Sequence, residues 1–261
     1  MSDLSLRHEN ESLQKQRLEK LFKISGLSNF EMFRNFPVFT PRFNLSRFLA
    51  HYELFKKIYE LPGVIIDLGI YQGASLFTWA KLCEIFCPTD VRKLVYGFDT
   101  FKGFPSLSKK DGKKSSRHGH KIGGFSSGIP MEKELLLAQE AMKPDKFIKH
   151  LNRVELVKGD AVKTIPEFIK KKGSGLKVAL LNIDFDIYEP TKVALENFVP
   201  LMVNGGIIIL DEYALDTFAG ETKAVDEYFR KRFGFVPKIK KFSWHSAPSG
   251  YIRVDWKKAK R

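Results

Sequence analysis

Cysteine is nearly absent from this chain of 261 residues: Cys83 and Cys87 are the only two. They stand four residues apart in a stretch expected to be helical, and no further cysteine exists to complete a thiolate metal site. A disulfide scaffold is excluded, and two reduced, packed thiols in a cytoplasmic protein are expected. Long apolar runs are also missing. No stretch approaches the length of a membrane span, and Met1-Ser2-Asp3-Leu4 has no secretory hydrophobic region, so no membrane partner is expected. Internal repeats and low-complexity tracts are absent. Acidic residues are outnumbered: 44 Lys+Arg face 30 Asp+Glu, a formal charge of +14. Such an excess suits anionic partners. The basic residues are spread along the chain rather than banded with aromatics, which fits a solvated lysine-rich surface as well. With 43% hydrophobic residues, the length suits one large α/β domain, or one domain with an appendage.

What is present is a series of short apolar runs separated by helical stretches. Val64 to Gly69, Val95 to Asp99, Val154 to Asp160, Val178 to Leu181 and Gly206 to Leu210 read as strands, mostly parallel; the Val178 run has no polar alternation and suits a buried central position. Ala74 to Phe86, Met131 to His150 (interrupted by Pro144), Ala161 to Lys172, Thr191 to Met202 and Ala219 to Phe233 read as helices. Phe235 to Val254 reads as two strands around Ser246-Ala247-Pro248-Ser249-Gly250, adding an antiparallel hairpin at the sheet edge. This alternation predicts a three-layer α/β/α, Rossmann-like sheet. Residues 1–35 and Leu45 to Tyr59 read as helices, giving an N-terminal helical extension or lid over 1–60 and a catalytic domain over 61–261. Residues 102–130 read as a long mobile loop over the carboxyl edge of the sheet; Lys109, Lys110, Lys113, Lys114, Arg117 and Lys121 in it either screen a phosphate-bearing substrate or are simply solvated.

The runs end in acids, at the edge where open α/β sheets gather their ligands. Asn182-Ile183-Asp184-Phe185-Asp186 follows one strand and Asp211-Glu212 another. Four carboxylates delivered by neighbouring strands repel one another, and a divalent cation is the simplest remedy. The first strand turns through Asp67-Leu68-Gly69-Ile70-Tyr71-Gln72-Gly73-Ala74-Ser75. This is not the dinucleotide fingerprint, which needs G-x-G-x-x-G to feed a pyrophosphate to a helix end. An acid there suits a cationic amine, although a tight turn needing glycine explains the motif equally. Asp99, with Thr100 and Phe101 behind it, ends the second strand, where an acid can accept both hydroxyls of a ribose. Asp160-Ala161 ends the third, where a carboxylate can take an adenine amine. Amine, ribose and adenine together describe S-adenosylmethionine. The cofactor set is therefore Asp67, Gly69, Gly73, Ser75, Asp99, Thr100, Phe101, Asp160 and Ala161.

From about residue 60 to about residue 235 the sequence resembles the macrocin O-methyltransferase family of class I S-adenosylmethionine-dependent methyltransferases. The resemblance lies in Asp67-Leu68-Gly69 with Gly73, Gly97-Phe98-Asp99-Thr100-Phe101-Lys102-Gly103-Phe104-Pro105, Asp184-Phe185-Asp186-Ile187-Tyr188-Glu189-Pro190-Thr191, Gly205-Gly206 with Asp211-Glu212-Tyr213, and Ala224-Val225-Asp226-Glu227-Tyr228. The family usually carries Asp-Asp where this chain has Asp211-Glu212. The resemblance implies methylation of a hydroxyl on a sugar, glycoside or nucleotide-sugar acceptor. It implies Mg²⁺ on Asp184, Asp211 and Glu212, and Asp186 as the base that takes the hydroxyl proton.

Bland readings stand beside these. Asp186 can instead cap the helix near Thr191, Glu212 can be a surface acid, and Tyr188 either lines the acceptor pocket or packs beneath it. His118, His120 and His245 are alternative bases. The N-terminal helices either cover the site, pair with a second copy, or simply pack. The charge of +14 leaves open an RNA-modifying enzyme, but nucleic acid is a poor fit: no Asn/Asp-Pro-Pro-aromatic motif and no RNA-binding module is present, and the acidic rim opposes a polyanion. A non-catalytic protein retaining the fold is the third reading.

Overall fold

The computed structural model describes residues 10–112, 119–128 and 130–256. Its centre is a six-stranded sheet of order β3-β2-β1-β4-β5-β6. The strands are β1 (Val64–Leu68), β2 (Val95–Asp99), β3 (Val154–Lys158), β4 (Val178–Ile183), β5 (Met202–Leu210) and β6 (Gly250–Arg253). The first five pair in parallel and β6 joins β5 antiparallel. The strand order reverses direction between β1 and β4. That is the topological switch point, where such sheets open a crevice at their carboxyl ends.

Side chains alternate across the central strands and build two cores, as a period of two demands. Ile66, Leu68, Tyr96, Phe98, Leu181, Ile183, Ile208 and Leu210 face one side. There they meet α7 (Ala161–Lys172), α8 (Tyr188–Phe198) and α9 (Ala219–Phe233). Ile65, Val95, Leu180, Ile207 and Ile209 face the other side. There they meet α4 (Arg42–Phe55), α5 (Ala74–Phe86) and α6 (Met131–Met142). The result is the expected three-layer arrangement with an antiparallel edge. In the N-terminal segment, α1 (Glu11–Ile24), α2 (Asn29–Arg34) and α3 (Phe36–Phe39) have no buried residue, whereas Leu54 and Phe55 of α4 are wholly buried against α5.

Three local expectations are corrected. The closing hairpin forms only its second strand; its first survives as a single bridge, Lys240 to Tyr251. Pro237 supplies no N–H for a ladder, and Lys238, Lys240 and Lys241 offer no apolar face to bury. The helix expected from Thr191 begins at Tyr188, because Pro190 is tolerated in a first turn. The helix expected through His150 stops at Met142, just before Pro144.

The loop after β2 is pinned where it is described. Phe104, Ile187 and Phe218 form a third apolar cluster with Leu107 and Phe125 against it. Gly103 has φ +78°, and a Cβ there would lie 2.2 Å from the carbonyl oxygen of Gly124, so the two arms of the loop meet only because the position is glycine. Lys113, Lys114, Arg117 and His118 lie outside the described residues.

Candidate active site

The end of β1 builds one half of the crevice. Gly69 turns with φ +78° directly beneath the exit of β4, where a Cβ would overlap the carbonyl oxygen of Asp184 at 1.8 Å. Only glycine allows that approach. Gly73 stands in the left-handed conformation at the N-terminus of α5, and Ser75 follows buried in its first turn. Asp99 closes β2. Its Oδ2 accepts the Tyr71 N–H at 2.8 Å and its Oδ1 the Phe101 N–H at 2.7 Å. Burial raises its carboxyl above the ordinary range, while those amides hold it down. Thr100 turns inward, donating from Oγ1 to the Gly103 carbonyl at 2.8 Å. Asp160 caps α7 by accepting the Val162 N–H at 3.0 Å, and Ala161 is buried behind it. Thr100, Gly159 and Asp160 line a cavity of about 430 Å³ with Lys102, Phe104 and Ile122.

Asp67 lies deeper than its place in the motif suggests. It is inside β1, not beyond it, and is wholly buried. Its Oδ1 accepts from Asn182 Nδ2 at 2.6 Å, and its Oδ2 has no hydrogen-bond partner. Burial pushes its carboxyl up to about 6.

The other half is acidic. β4 and β5 run in register, Ile183 against Leu210, so Asp184 and Asp211 leave neighbouring strands side by side. Asp186 follows with φ +62°, a conformation uncommon outside glycine. Tyr71, Phe101 and Ala214 share it. Tyr71, Phe101 and Asp186 all lie in turns just beyond strand ends at the carboxyl edge, where strained residues mark function when the surroundings hold them. Carboxylate oxygens of Asp184, Asp186 and Glu212 lie within 4.8 Å of one another. Burial, and then the neighbouring carboxylates, push Asp184 and Asp186 well above the ordinary carboxylate range. Asp186 does not cap α8: the preceding residue at that helix is Ile187, with no side-chain cap, and Asp111 of the loop accepts the Tyr188 N–H at 2.6 Å instead.

Two residues of this site gave no sequence signal. Arg47 on α4 reaches into the acids. Its Nη2 stands 2.9 Å from Asp184 Oδ2 and 3.0 Å from Asp211 Oδ1, and its Nη1 donates to Asp211 Oδ2 at 3.2 Å. Burial works against its charge, yet Asp211 and Asp184 hold the guanidinium more firmly protonated than usual. Glu221 of α9 is wholly buried. Its Oε1 accepts the Glu212 N–H at 3.0 Å, and burial followed by Glu212 pushes its carboxyl well up. A fully buried acid between an apolar stretch and a helix face has no local pattern to announce it.

The remaining candidates are placed elsewhere. Tyr188 packs beneath the rim, 4% exposed, donating to Glu227 Oε2 at 2.5 Å under the Lys110 ammonium. His120 is buried with its ring centroid 6.0 Å from that of Phe218. His245 is buried beside Phe43, 2.8 Å through Nδ1 from Ser46 Oγ.

The donor set answers what it can hold. Carboxylate oxygens within 4.8 Å suit a hard, oxygen-seeking divalent cation, and the arginine among them shows that the cluster demands positive charge. The turn at Gly69, the acid of β2 and the cavity at Asp160 form a continuous row along the carboxyl edge.

The family model for macrocin-O-methyltransferase (TylF) matches residues 53–247. The chain belongs to that family. Similar curated proteins include the 8-demethyl-8-(2,3-dimethoxy-alpha-L-rhamnosyl)-tetracenomycin-C 4'-O-methyltransferase of Streptomyces olivaceus, 27% identical over 187 residues, covering 69% of this chain and 62% of that protein. The mycinamicin III 3''-O-methyltransferase of Micromonospora griseorubida is 24% identical, covering 69% of this chain and 65% of its own length. The matched region thus spans less than two thirds of these curated relatives. A solved structure of CalS11, a calicheamicin methyltransferase, is 28% identical, with TM-score 0.86 over 96% of this chain and 95% of that one. Its apo form, described as a TDP-rhamnose 3'-O-methyltransferase, gives TM-score 0.76 over 96% and 97%. Among the described residues no helix is long and apolar enough to cross a membrane, and Cys83 and Cys87 are free and buried.

Proposed function

We propose that this protein is an S-adenosylmethionine- and Mg²⁺-dependent O-methyltransferase whose acceptor is a hydroxyl of a sugar, carried on a nucleotide or on a glycosylated small molecule. The observation that carries this reading is the convergence of Asp184, Asp186 and Glu212 at the switch point, beside the Gly69 turn and Asp99. The relatives support the substrate class, since one is named for a rhamnosyl-tetracenomycin and one for TDP-rhamnose.

Asp99 and Asp160 bind the ribose and adenine ends of the cofactor, and Asp67 offers its charge toward the amine end. Asp184 and Glu212 of that convergent group, with Asp211 leaving the strand beside Asp184, are the residues that would hold the cation, which leaves Asp186 as the base. When bound, Mg²⁺ lowers the pKa of an acceptor hydroxyl and neutralises the developing oxyanion. Asp186 takes the proton. Its place among the converging carboxylates puts it beside the hydroxyl that the cation would acidify. S-adenosylmethionine, when bound, would supply the methyl group; the part of this chain is to hold hydroxyl and cofactor in line, and such positioning supplies much of the rate. The division into a helical extension over 1–60 and a catalytic domain over 61–261, and a cytoplasmic location, belong to the same proposal. So does pairing of two copies through exposed Ile24, Phe30, Phe33 and Val38 of the N-terminal helices, which sedimentation at micromolar concentration tests.

The deciding experiment incubates the purified protein with labelled S-adenosylmethionine and a panel of nucleotide sugars and rhamnosides, with Mg²⁺ or EDTA. Methyl transfer to a sugar hydroxyl that disappears in EDTA is expected. Full turnover in EDTA removes the metal; no cofactor binding by calorimetry removes the enzyme.

A further inference from the structure

Arg47 lies outside the family match of residues 53–247, on α4. Yet it is ion-paired with two carboxylates of the proposed cation site. Its Nη2 lies between two carboxylates, 2.9 Å from Asp184 Oδ2 and 3.0 Å from Asp211 Oδ1. Its Nη1 occupies the second oxygen of Asp211 at 3.2 Å. Both oxygens of Asp211 therefore face this one side chain. Asp184 and Asp211 are two of the residues that would hold the cation, and the guanidinium already engages carboxylate oxygens of both.

We propose that Arg47 is a built-in competitor for the divalent cation: its guanidinium and the ion exclude each other at Asp184 and Asp211, and the side chain withdraws when the ion loads. The inference rests on the metal reading given above. Its physical basis is charge balance. Asp184, Asp186 and Glu212, half-buried, crowd around the buried Asp211, an arrangement that a fold without a counterion tolerates poorly. Arg47 supplies that counterion in the ion-free protein, so the fold does not depend on metal to form. The cost falls on metal affinity, because every ion must displace an arginine with two ion pairs. Arg47 shares the inward face of α4 with Ala50, His51 and Leu54, yet its side chain keeps 20% exposure, which gives the guanidinium a route to solvent when it leaves the acids.

The test is cation binding without substrate. Mn²⁺ is the probe, followed through loss of its free-ion electron paramagnetic resonance signal and by calorimetry, on the full chain. Arg47→Met keeps the length and removes the charge. It is expected to bind Mn²⁺ at least ~10-fold more tightly than the wild type, and its melting temperature is expected to fall without metal and recover with it. Arg47→Lys, which keeps a charge without the fork, guards against a Met variant that does not fold, and is expected to lie between the two. Equal or weaker binding by the folded variants overturns the competition and leaves the metal reading standing. No Mn²⁺ binding by the wild type or either variant overturns both.

Discussion

Asp67 gives the sharpest quantitative expectation. It is wholly buried, one oxygen has no hydrogen-bond partner, and burial lifts its carboxyl from 3.8 to about 6. A carboxyl whose folded pKa lies above its unfolded one holds its proton more tightly when folded. Its contribution to stability is therefore lost as pH rises from 3.8 to about 6, and the loss is complete above that window. At 1.36 kcal/mol per pKa unit, the ionised carboxylate costs about 3 kcal/mol at neutral pH. Asp67→Asn keeps an oxygen for Asn182 Nδ2 and removes the charge. The quantity to measure is the difference in unfolding free energy between variant and wild type, from urea denaturation at several pH values, because the other acids cancel in the difference. By linkage the difference should grow by about 1.5 kcal/mol in favour of the variant between pH 5 and pH 8, and stay flat above pH 7. A difference that is constant with pH, or that favours the wild type increasingly as pH rises, refutes the reasoning. The same variant should bind S-adenosylmethionine at least ~10-fold more weakly if the carboxylate serves the cofactor amine, since a hydrogen bond to a charged group is worth about 1.5–3 kcal/mol.

Asp184→Ala is expected to abolish Mn²⁺ binding and lower methyl transfer more than ~100-fold, exceeding the loss usual for residues that merely support a metal ligand. Asp186→Asn is expected to lower kcat by about 10²–10⁴ while cofactor and Mn²⁺ affinities stay within twofold, the signature of a base rather than a ligand; lost Mn²⁺ binding would move Asp186 into the metal shell. Gly69→Ala places a Cβ 1.8 Å from the Asp184 carbonyl oxygen at φ +78° and should cost more than about 2 kcal/mol, read as a fall of several degrees in melting temperature. Glu221→Gln keeps an acceptor for the Glu212 N–H and should be tolerated within about 1 kcal/mol, whereas Glu221→Ala leaves that amide unpaired and opens a cavity, costing about 2–5 kcal/mol. Equal melting temperatures for the two Glu221 variants contradict the role given to its side-chain oxygen as acceptor of the Glu212 N–H.

The sheet was legible because its central strands are buried on both faces. Val178 to Leu181 and Gly206 to Leu210 are continuous apolar runs stopped by acids, and burial leaves no competing interpretation for such runs. The edge was less legible. The expected strand before Lys240 is interrupted by Pro237, which has no N–H for a ladder, and reduces to one bridge. Helix starts moved by three residues where proline was taken as a stop: α4 begins at Arg42, directly after Pro41, and α8 carries Pro190 in its first turn. Proline costs a helix nothing there, since the missing N–H has no intrahelical acceptor in any case.

At the site, the residues that announced themselves were those whose neighbours in sequence are also their neighbours in function. Asp184 and Asp186 sit two apart on one strand end, and Asp211 and Glu212 adjoin on the next. Arg47 could not be found that way. It meets Asp184 across 137 residues and Asp211 across 164, from an ordinary amphipathic helix where an arginine reads as solvent-facing. Its role follows only from a balance of charge: four carboxylates at one sheet edge repel, the repulsion must be answered in the absence of an ion, and the nearest element able to answer is α4. If the site takes a metal as proposed, Arg47 is the cation that the chain itself supplies before the ion arrives, and its placement between Asp184 and Asp211 bears on how readily the ion is admitted.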